Sequence, residues 1–287
     1  MDAPWRVDQA LAWARDQWRD TPGTEPLDAG VLLAHVLDRP RTALLAHPEM
    51  PLTDEQAAQF ATLVKRRAAG TPIAYLIGRH PFYDRDFLVT PDVLIPRPET
   101  EHLIDAALAW ARGRGVLRVA DIGTGSGAIA VTLAAHLPDA HVHAVDCSPA
   151  ALDVARQNAE RAGVGGRITF HQGDLLAPLL AQGEPLDLIA ANLPYIPTAD
   201  LAALDVARHE PVLALDGGPD GLDAIRRLLT QAPRVLAANG LILLEIGAGQ
   251  GEAAAGLARE QFPGAEIAVL HDYAGHDRVL RVERSGA

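Results

Sequence analysis

Apolar positions recur at helical spacing through the opening stretch of the chain: Val7, Leu11, Ala12 and Trp18, then Leu27, Val31, Leu32, Ala34, His35 and Val36. Thr53-Asp54-Glu55-Gln56 has the form of a capping box, and it opens a helix through Phe60, Leu63 and Val64 that should stop at Gly70, ahead of Pro72. Residues 1–78 are therefore expected to form a small helical bundle. Phe82 to Val89 then alternates aromatic and polar residues about a turn, which predicts a β-hairpin, and 79–95 reads as a linker. Pro96, Pro98, Glu99 and Glu101 precede the apolar positions Leu103, Ile104, Ala107 and Leu108, as at the start of an amphipathic helix.

From residue 96 to the end the pattern changes. Apolar runs at 117–121, 141–146, 167–171, 186–191 and 240–246 alternate with helical segments, the signature of a parallel sheet covered on both faces. The last two runs, Glu266–Leu270 and Val279–Val282, are separated by too few residues for a crossover helix. They should pair antiparallel at the end of the sheet. The expected class is α/β, a Rossmann-like sheet with an antiparallel terminal hairpin, preceded by the helical bundle.

Two turns at the carboxyl edge of this sheet carry candidate chemistry, because ligands of open α/β sheets bind at that edge. After the strand at 117–121 comes Asp121-Ile122-Gly123-Thr124-Gly125-Ser126-Gly127, whose glycines let the main chain approach a ligand and open a helix at Ala128. The same glycines satisfy the dinucleotide fingerprint with alanine last, and they also suit plain strand–helix packing. The next strand ends at Asp146, placed to accept hydrogen bonds from ribose hydroxyls, unless it or Ser148 only caps the following helix. The third ends near Asp174, where a carboxylate can accept an adenine amino group or simply close a turn. The fourth runs into Asn192-Leu193-Pro194-Tyr195, which puts an amide and a stiff, aromatic-tipped turn on that edge; the alternative is a strand-ending turn with a core tyrosine.

Composition narrows the classes. The chain has 287 residues and 48% hydrophobic residues, enough for two packed cores. The formal charge of −12 weighs against sequence-independent nucleic-acid binding, which rests on phosphate neutralisation, and Lys65-Arg66-Arg67 is the only dense basic run. One cysteine, Cys147, excludes an intrachain disulfide, and no metal-ligand spacing is visible among the eleven histidines. The amino-terminal Met1-Asp2-Ala3-Pro4-Trp5-Arg6 lacks a charged region followed by an apolar stretch, so a cytoplasmic protein is expected.

An Asn-x-Pro-Tyr turn facing a cofactor edge suits methyl transfer to a planar NH2 group. The in-line displacement needs the nucleophile held near the methyl group at a fixed angle. Asn192 Oδ1 and the Leu193 carbonyl can accept both N–H bonds and stabilise charge developing on nitrogen; Pro194 stiffens the turn and Tyr195 offers a flat face. An adenine amino group would fit the same logic, but such an enzyme should carry a basic track for its flipped base. A non-catalytic adaptor is the third class, disfavoured by the intact Asn192 and Tyr195.

The chain resembles the HemK/PrmC glutamine methyltransferases over nearly its whole length. The resemblance rests on Arg67-x-x-Gly70-x-Pro72-x-x-Tyr75-x-x-Gly78, Phe82, Phe87-x-Val89, Val93 to Glu101, Asp121 to Gly127, Asp146, the Asn192 turn, Glu210-Pro211, Gly217 to Leu222, Glu245-Ile246-Gly247 and Asp277-Arg278-Val279. It implies a class I S-adenosylmethionine methyltransferase sheet over 96–287; the separate bundle at 1–78, with its own apolar faces, is expected to dock the substrate. The resemblance also implies that Gly123, Thr124, Gly125, Ser126, Gly127, Asp146, Asp174, Leu175 and Asn192 contact S-adenosylmethionine. Asn192, Leu193, Pro194 and Tyr195 would then hold the glutamine of the Gly-Gly-Gln motif in class I peptide chain release factors. No membrane and no direct nucleic-acid contact are expected. Relatives that methylate a ribosomal-protein glutamine share the turn, but Ile95-Pro96-Arg97-Pro98-Glu99-Thr100-Glu101 is closer to the release-factor branch. Leu193 departs from the family's Asn-Pro-Pro-Tyr.

Overall fold

The computed structural model describes residues 5–286 apart from 20, 22 and 25. Met1 to Pro4, part of the segment read above for a leader, lie outside the described residues. The chain divides into two units, Met1–Arg79 and His80–Ala287.

The first unit holds α1 (Val7–Gln17), α2 (Pro26–Leu37), α3 (Arg41–Ala46), α4 (Asp54–Ala68) and α5 (Ile73–Ile77). Helix α4 starts as its sequence dictates: Thr53 Oγ1 accepts from the Gln56 N–H, and Gln56 Oε1 accepts from the Thr53 N–H. Val7, Ala10, Ala14, Trp18, Leu32, Leu33, Phe60 and Val64 make its core, and the Trp18 indole donates to the Val64 carbonyl at 3.1 Å. The periodicity put Leu27 and Ala12 among the inward positions, yet both are exposed. Helix α2 is apolar around most of its circumference, so spacing alone does not select the face that packs.

The second unit opens with the hairpin β1 (Arg79–Phe82) and β2 (Arg85–Leu88), followed by α6 (Thr100–Ala111). The hairpin does more than link: Phe82 and Phe87 meet edge-on at 5.8 Å and belong to the core beneath α6. Asn158 secures β2 by accepting from the Leu88 N–H and donating to the Leu88 carbonyl.

The main sheet comprises β3 (Arg118–Ile122), β4 (His141–Asp146), β5 (Ile168–Gln172), β6 (Leu186–Ala191), β7 (Leu236–Glu245), β8 (Glu266–His271) and β9 (Asp277–Glu283). Between them lie α7 (Ala128–His136), α8 (Pro149–Arg161), α9 (Ala177–Leu180), α10 (Asp223–Gln231) and α11 (Gly251–Gln261). The strand order is β5-β4-β3-β6-β7-β9-β8, parallel from β5 to β7, with β9 antiparallel to both β7 and β8. This is the expected mixed sheet with its antiparallel terminal hairpin. Two apolar layers cover its faces, one built on Ile122, Ile189, Leu228 and Leu244, the other on Val119, Leu133, Val142 and Leu188.

Strand β7 begins at Leu236, earlier than its apolar run suggests. The Ala237-Ala238-Asn239-Gly240 stretch resembles a turn, and Asn239 does adopt φ 59. The strand absorbs it as an irregularity, with Leu186 opposite Leu236 but Leu188 opposite Leu241. Strand order reverses between β3 and β6. The crevice beyond their carboxyl ends is thus the topological switch point.

Candidate active site

The glycine turn leaves β3 and the Asn192 turn leaves β6, neighbouring strands paired in register with Ile122 opposite Ala191. The two turns therefore touch. Gly123 has φ 73, and a Cβ there would come within 3.1 Å of Leu193 Cδ2. Gly127, at φ 80, lets α7 approach α8, where a Cβ would meet Ala155 Cβ at 3.2 Å. Asp121, fully buried, organises the turn from behind. One oxygen accepts from the Thr124 hydroxyl at 2.6 Å and from the Ala130 N–H at 3.0 Å. Burial, assisted by nearby Asp146, pushes its carboxyl up to about 7 against those two hydrogen bonds.

A cavity of about 590 Å³ opens along this edge. Gly123, Thr124, Gly125, Ser126, Asp146, Asp174, Leu175, Asn192, Leu193 and Pro194 all line it. Gly127 does not; it serves helix packing. Asp146 accepts from the Gly125 N–H through Oδ2 and from the Ser148 N–H through Oδ1, both at 2.9 Å. Helix α8 is capped by Ser148, whose hydroxyl accepts from the Ala151 N–H at 3.2 Å. The carboxylate is thus not spent as the cap, and each oxygen keeps a lone pair for a ligand hydroxyl. Asp174 is exposed and paired with Arg227. Leu175 adopts φ 50, uncommon for a branched residue, at the bend where the chain leaves β5.

At the other end of the cavity Asn192 Nδ2 donates to Thr100 Oγ1 at 2.9 Å. Among the described residues no group donates to its Oδ1. Tyr195 does not line the cavity. Its hydroxyl donates to Glu245 Oε1 at 3.2 Å, and burial beside that carboxylate holds it protonated well above the usual phenol range. Tyr195 is drawn inward because a phenol half-buried here finds its acceptor at the end of β7, and Gln250 Nε2 holds its carbonyl at 3.0 Å. The flat face expected of Tyr195 is thus turned from the cavity.

Four residues outside the candidate set hold the site together. Thr100 binds Asn192 and also donates to Glu245 Oε2 at 2.6 Å. Glu210 is buried, accepts from the Ile95 N–H at 3.0 Å and pairs with Arg97, which ties the cavity-lining segment Pro91–Arg97 to the loop after β6. Each lay within a motif carrying the family resemblance; nothing in the local pattern announced its partner. Among the described residues no group of three or more His, Cys, Asp or Glu could hold a metal ion. No helix among them is long and apolar enough to cross a membrane.

The donor set suits S-adenosylmethionine. Asp146 offers spare carboxylate lone pairs beside a main chain bared by Gly123 and Gly125, and the cavity continues without a break to the Asn192 turn.

Comparison with known proteins gives the same reading. The PrmC N-terminal domain family matches residues 9–78, and a methyltransferase domain family matches residues 119–210. The release factor glutamine methyltransferase of Moorella thermoacetica is 50% identical over 90% of this chain and 91% of its own length. That of Bacillus anthracis is 42% identical over 97% of this chain and 99% of its own. Among solved structures, the ribosomal protein L11 methylase of Lactobacillus delbrueckii subsp. bulgaricus superposes with a TM-score of 0.50 at 23% identity, covering 72% of this chain and 90% of that one. This last likeness speaks for the fold alone. On the strength of the full-length relatives, the chain belongs to the family of release factor glutamine methyltransferases.

Proposed function

We propose that this S-adenosylmethionine-dependent enzyme methylates the side-chain amide nitrogen of the glutamine in the Gly-Gly-Gln motif of class I release factors, in the cytoplasm, and so modulates translation termination. The observation that carries the reading is the Asn192 amide, whose nitrogen is committed to Thr100 and whose oxygen is left for a donor in the cavity. A glutamine NH2 is such a donor.

S-adenosylmethionine supplies a methyl group on a positively charged sulfur. Asn192 Oδ1 and the Leu193 carbonyl accept the two N–H bonds of the substrate amide and so fix its plane and approach. The same two oxygens would stabilise the positive charge that nitrogen gains as its bond to the methyl carbon forms and the carbon–sulfur bond breaks, its electron pair leaving with a neutral thioether. An N-methylated amide cation is strongly acidic, so its proton leaves to water without a strong base. Pro194 restrains the turn. Asp146 and the glycine turn hold the adenosyl end, with Asp174 and Leu175 beyond it. The Met1–Arg79 unit is assigned to docking the large protein substrate. The charge of −12 supports a protein substrate over a nucleic acid.

Mass spectrometry of a purified release factor after incubation with enzyme and S-adenosylmethionine tests this directly. One added methyl group on the Gly-Gly-Gln glutamine is expected. Methylation elsewhere, or none, would overturn the assignment.

A further inference from the structure

An amide side chain presents either an acceptor or a donor to its substrate, and which one depends on what holds its other end. Asn192 is held by a hydroxyl, Thr100 Oγ1, at 2.9 Å. A hydroxyl has one proton, and that of Thr100 goes to Glu245 Oε2 at 2.6 Å. Only lone pairs remain toward Asn192. Those can receive an N–H but repel a carbonyl oxygen, so the NH2 end of Asn192 faces Thr100. The second carboxylate oxygen, Oε1, takes the Tyr195 hydroxyl at 3.2 Å. Glu245 is fully buried and does not line the cavity.

We propose that Glu245, acting through the Thr100 hydroxyl, is a positioning residue that sets the polarity of Asn192, so that its oxygen and not its NH2 group meets the substrate amide. The proposal rests on the reading of Asn192 as the substrate's acceptor. The same carboxylate anchors the far end of the turn through Tyr195, so both ends of Asn192–Tyr195 answer to one group.

The relay has a reversed form. A protonated Glu245 can donate to Thr100, which then donates to Asn192 Oδ1 and turns the amide over. The substrate NH2 would then face another NH2, two donors without an acceptor between them. The groups facing Glu245 are Thr100 and Glu99 at the start of α6, Tyr195 after β6 and Arg278 on β9. Burial and Glu99 favour the neutral form; the two hydroxyls and Arg278 favour the charged one, and the balance lies at about 7. The switch between polarities therefore falls near neutral pH.

The test uses the full-length enzyme, an intact release factor and saturating S-adenosylmethionine, with kcat and KM followed across about pH 6 to 9. Wild-type kcat should rise through about pH 7 as Glu245 ionises. Thr100→Val should lower kcat roughly tenfold or more with a smaller change in KM, whereas Thr100→Ser, which keeps the hydroxyl, should restore most of it. Glu245→Gln should be slow and lose the rise with pH. Wild-type kcat in Thr100→Val, equal losses in the Val and Ser variants, or an unchanged rise in Glu245→Gln would each overturn the relay. If Thr100→Val does not fold, the Glu245→Gln profile against wild type decides alone. Asn192→Ala separates the two levels: a slow Asn192→Ala beside a normal Thr100→Val condemns the relay only, whereas a wild-type rate in Asn192→Ala overturns the acceptor reading and the relay with it.

Discussion

Asp146 Oδ2 receives the main-chain N–H of Gly125 at 2.9 Å, so the acid that ends β4 is also a strut of the glycine turn that follows β3. The carboxylate is oriented before any ligand arrives, and it orients the loop in return.

Asp146→Ala should accordingly weaken S-adenosylhomocysteine binding by about 1.5–3 kcal/mol, through lost charge-assisted hydrogen bonds and a loosened turn. Asp146→Asn keeps an acceptor for Gly125 and should lie between the two. Isothermal calorimetry measures this. Unchanged affinity in Asp146→Ala would reduce Asp146 to a structural strut.

Asn192→Ala should slow single turnover about a hundredfold or more, the usual order for removing one preorganised polar group from a reacting centre. Leu193→Pro keeps the carbonyl and should turn over far faster than Asn192→Ala. It will not be silent, because the Leu193 side chain is buried and belongs to the apolar layer that also holds Ile122 and Leu244. Its loss should destabilise the fold by about 1 kcal/mol or more, read as a lower Tm. A folded Leu193→Pro as inactive as Asn192→Ala would refute the main-chain acceptor.

A protein spanning residues 80–287 should fold and bind S-adenosylhomocysteine, because its two apolar layers come from its own residues. It should methylate intact release factor poorly while retaining more of its activity on a short Gly-Gly-Gln peptide. Equal losses on both substrates would point to a stabilising role for Met1–Arg79 instead of docking.

Asp121 is protonated more readily folded than unfolded, since burial carries its carboxyl from the usual range up to about 7. The folded state then holds more protons than the unfolded state between about pH 4 and 7, and stability from this group falls as pH rises through that window. His143, pushed down to about 4 by burial beside His141 and His171, works in the opposite sense, its contribution falling as pH drops below its usual range. Asp121→Asn isolates the first effect: between pH 5 and 8 its Tm should fall less, or rise more, than that of wild type. Parallel Tm profiles would show that the Asp121 carboxyl titrates normally.

The apolar periodicity placed β4 and β6 at the bounds observed, 141–146 and 186–191. It misplaced the start of β7, because Ala-Ala-Asn-Gly has turn chemistry and stays unpaired with β6, while Leu236 before it already lies opposite Leu186. The glycine turn, Asp146 and the Asn192 turn were visible for a related reason: strand ends and turn residues are local features, and α/β sheets gather their ligands at that edge.

Sequence by itself determined the alternation of strands and helices, the terminal antiparallel pair and the strand-end turns at Gly123 and Asn192, since each follows from neighbours along the chain. Tertiary structure alone decided the strand order, the inward turn of Tyr195, and the chain from Glu245 through Thr100 to Asn192. Those groups belong to β7, α6 and the turn after β6, and no periodicity relates them. A buried carboxylate must find donors wherever the fold brings them, and packing, not sequence spacing, sets which ones lie within 3 Å or so of it.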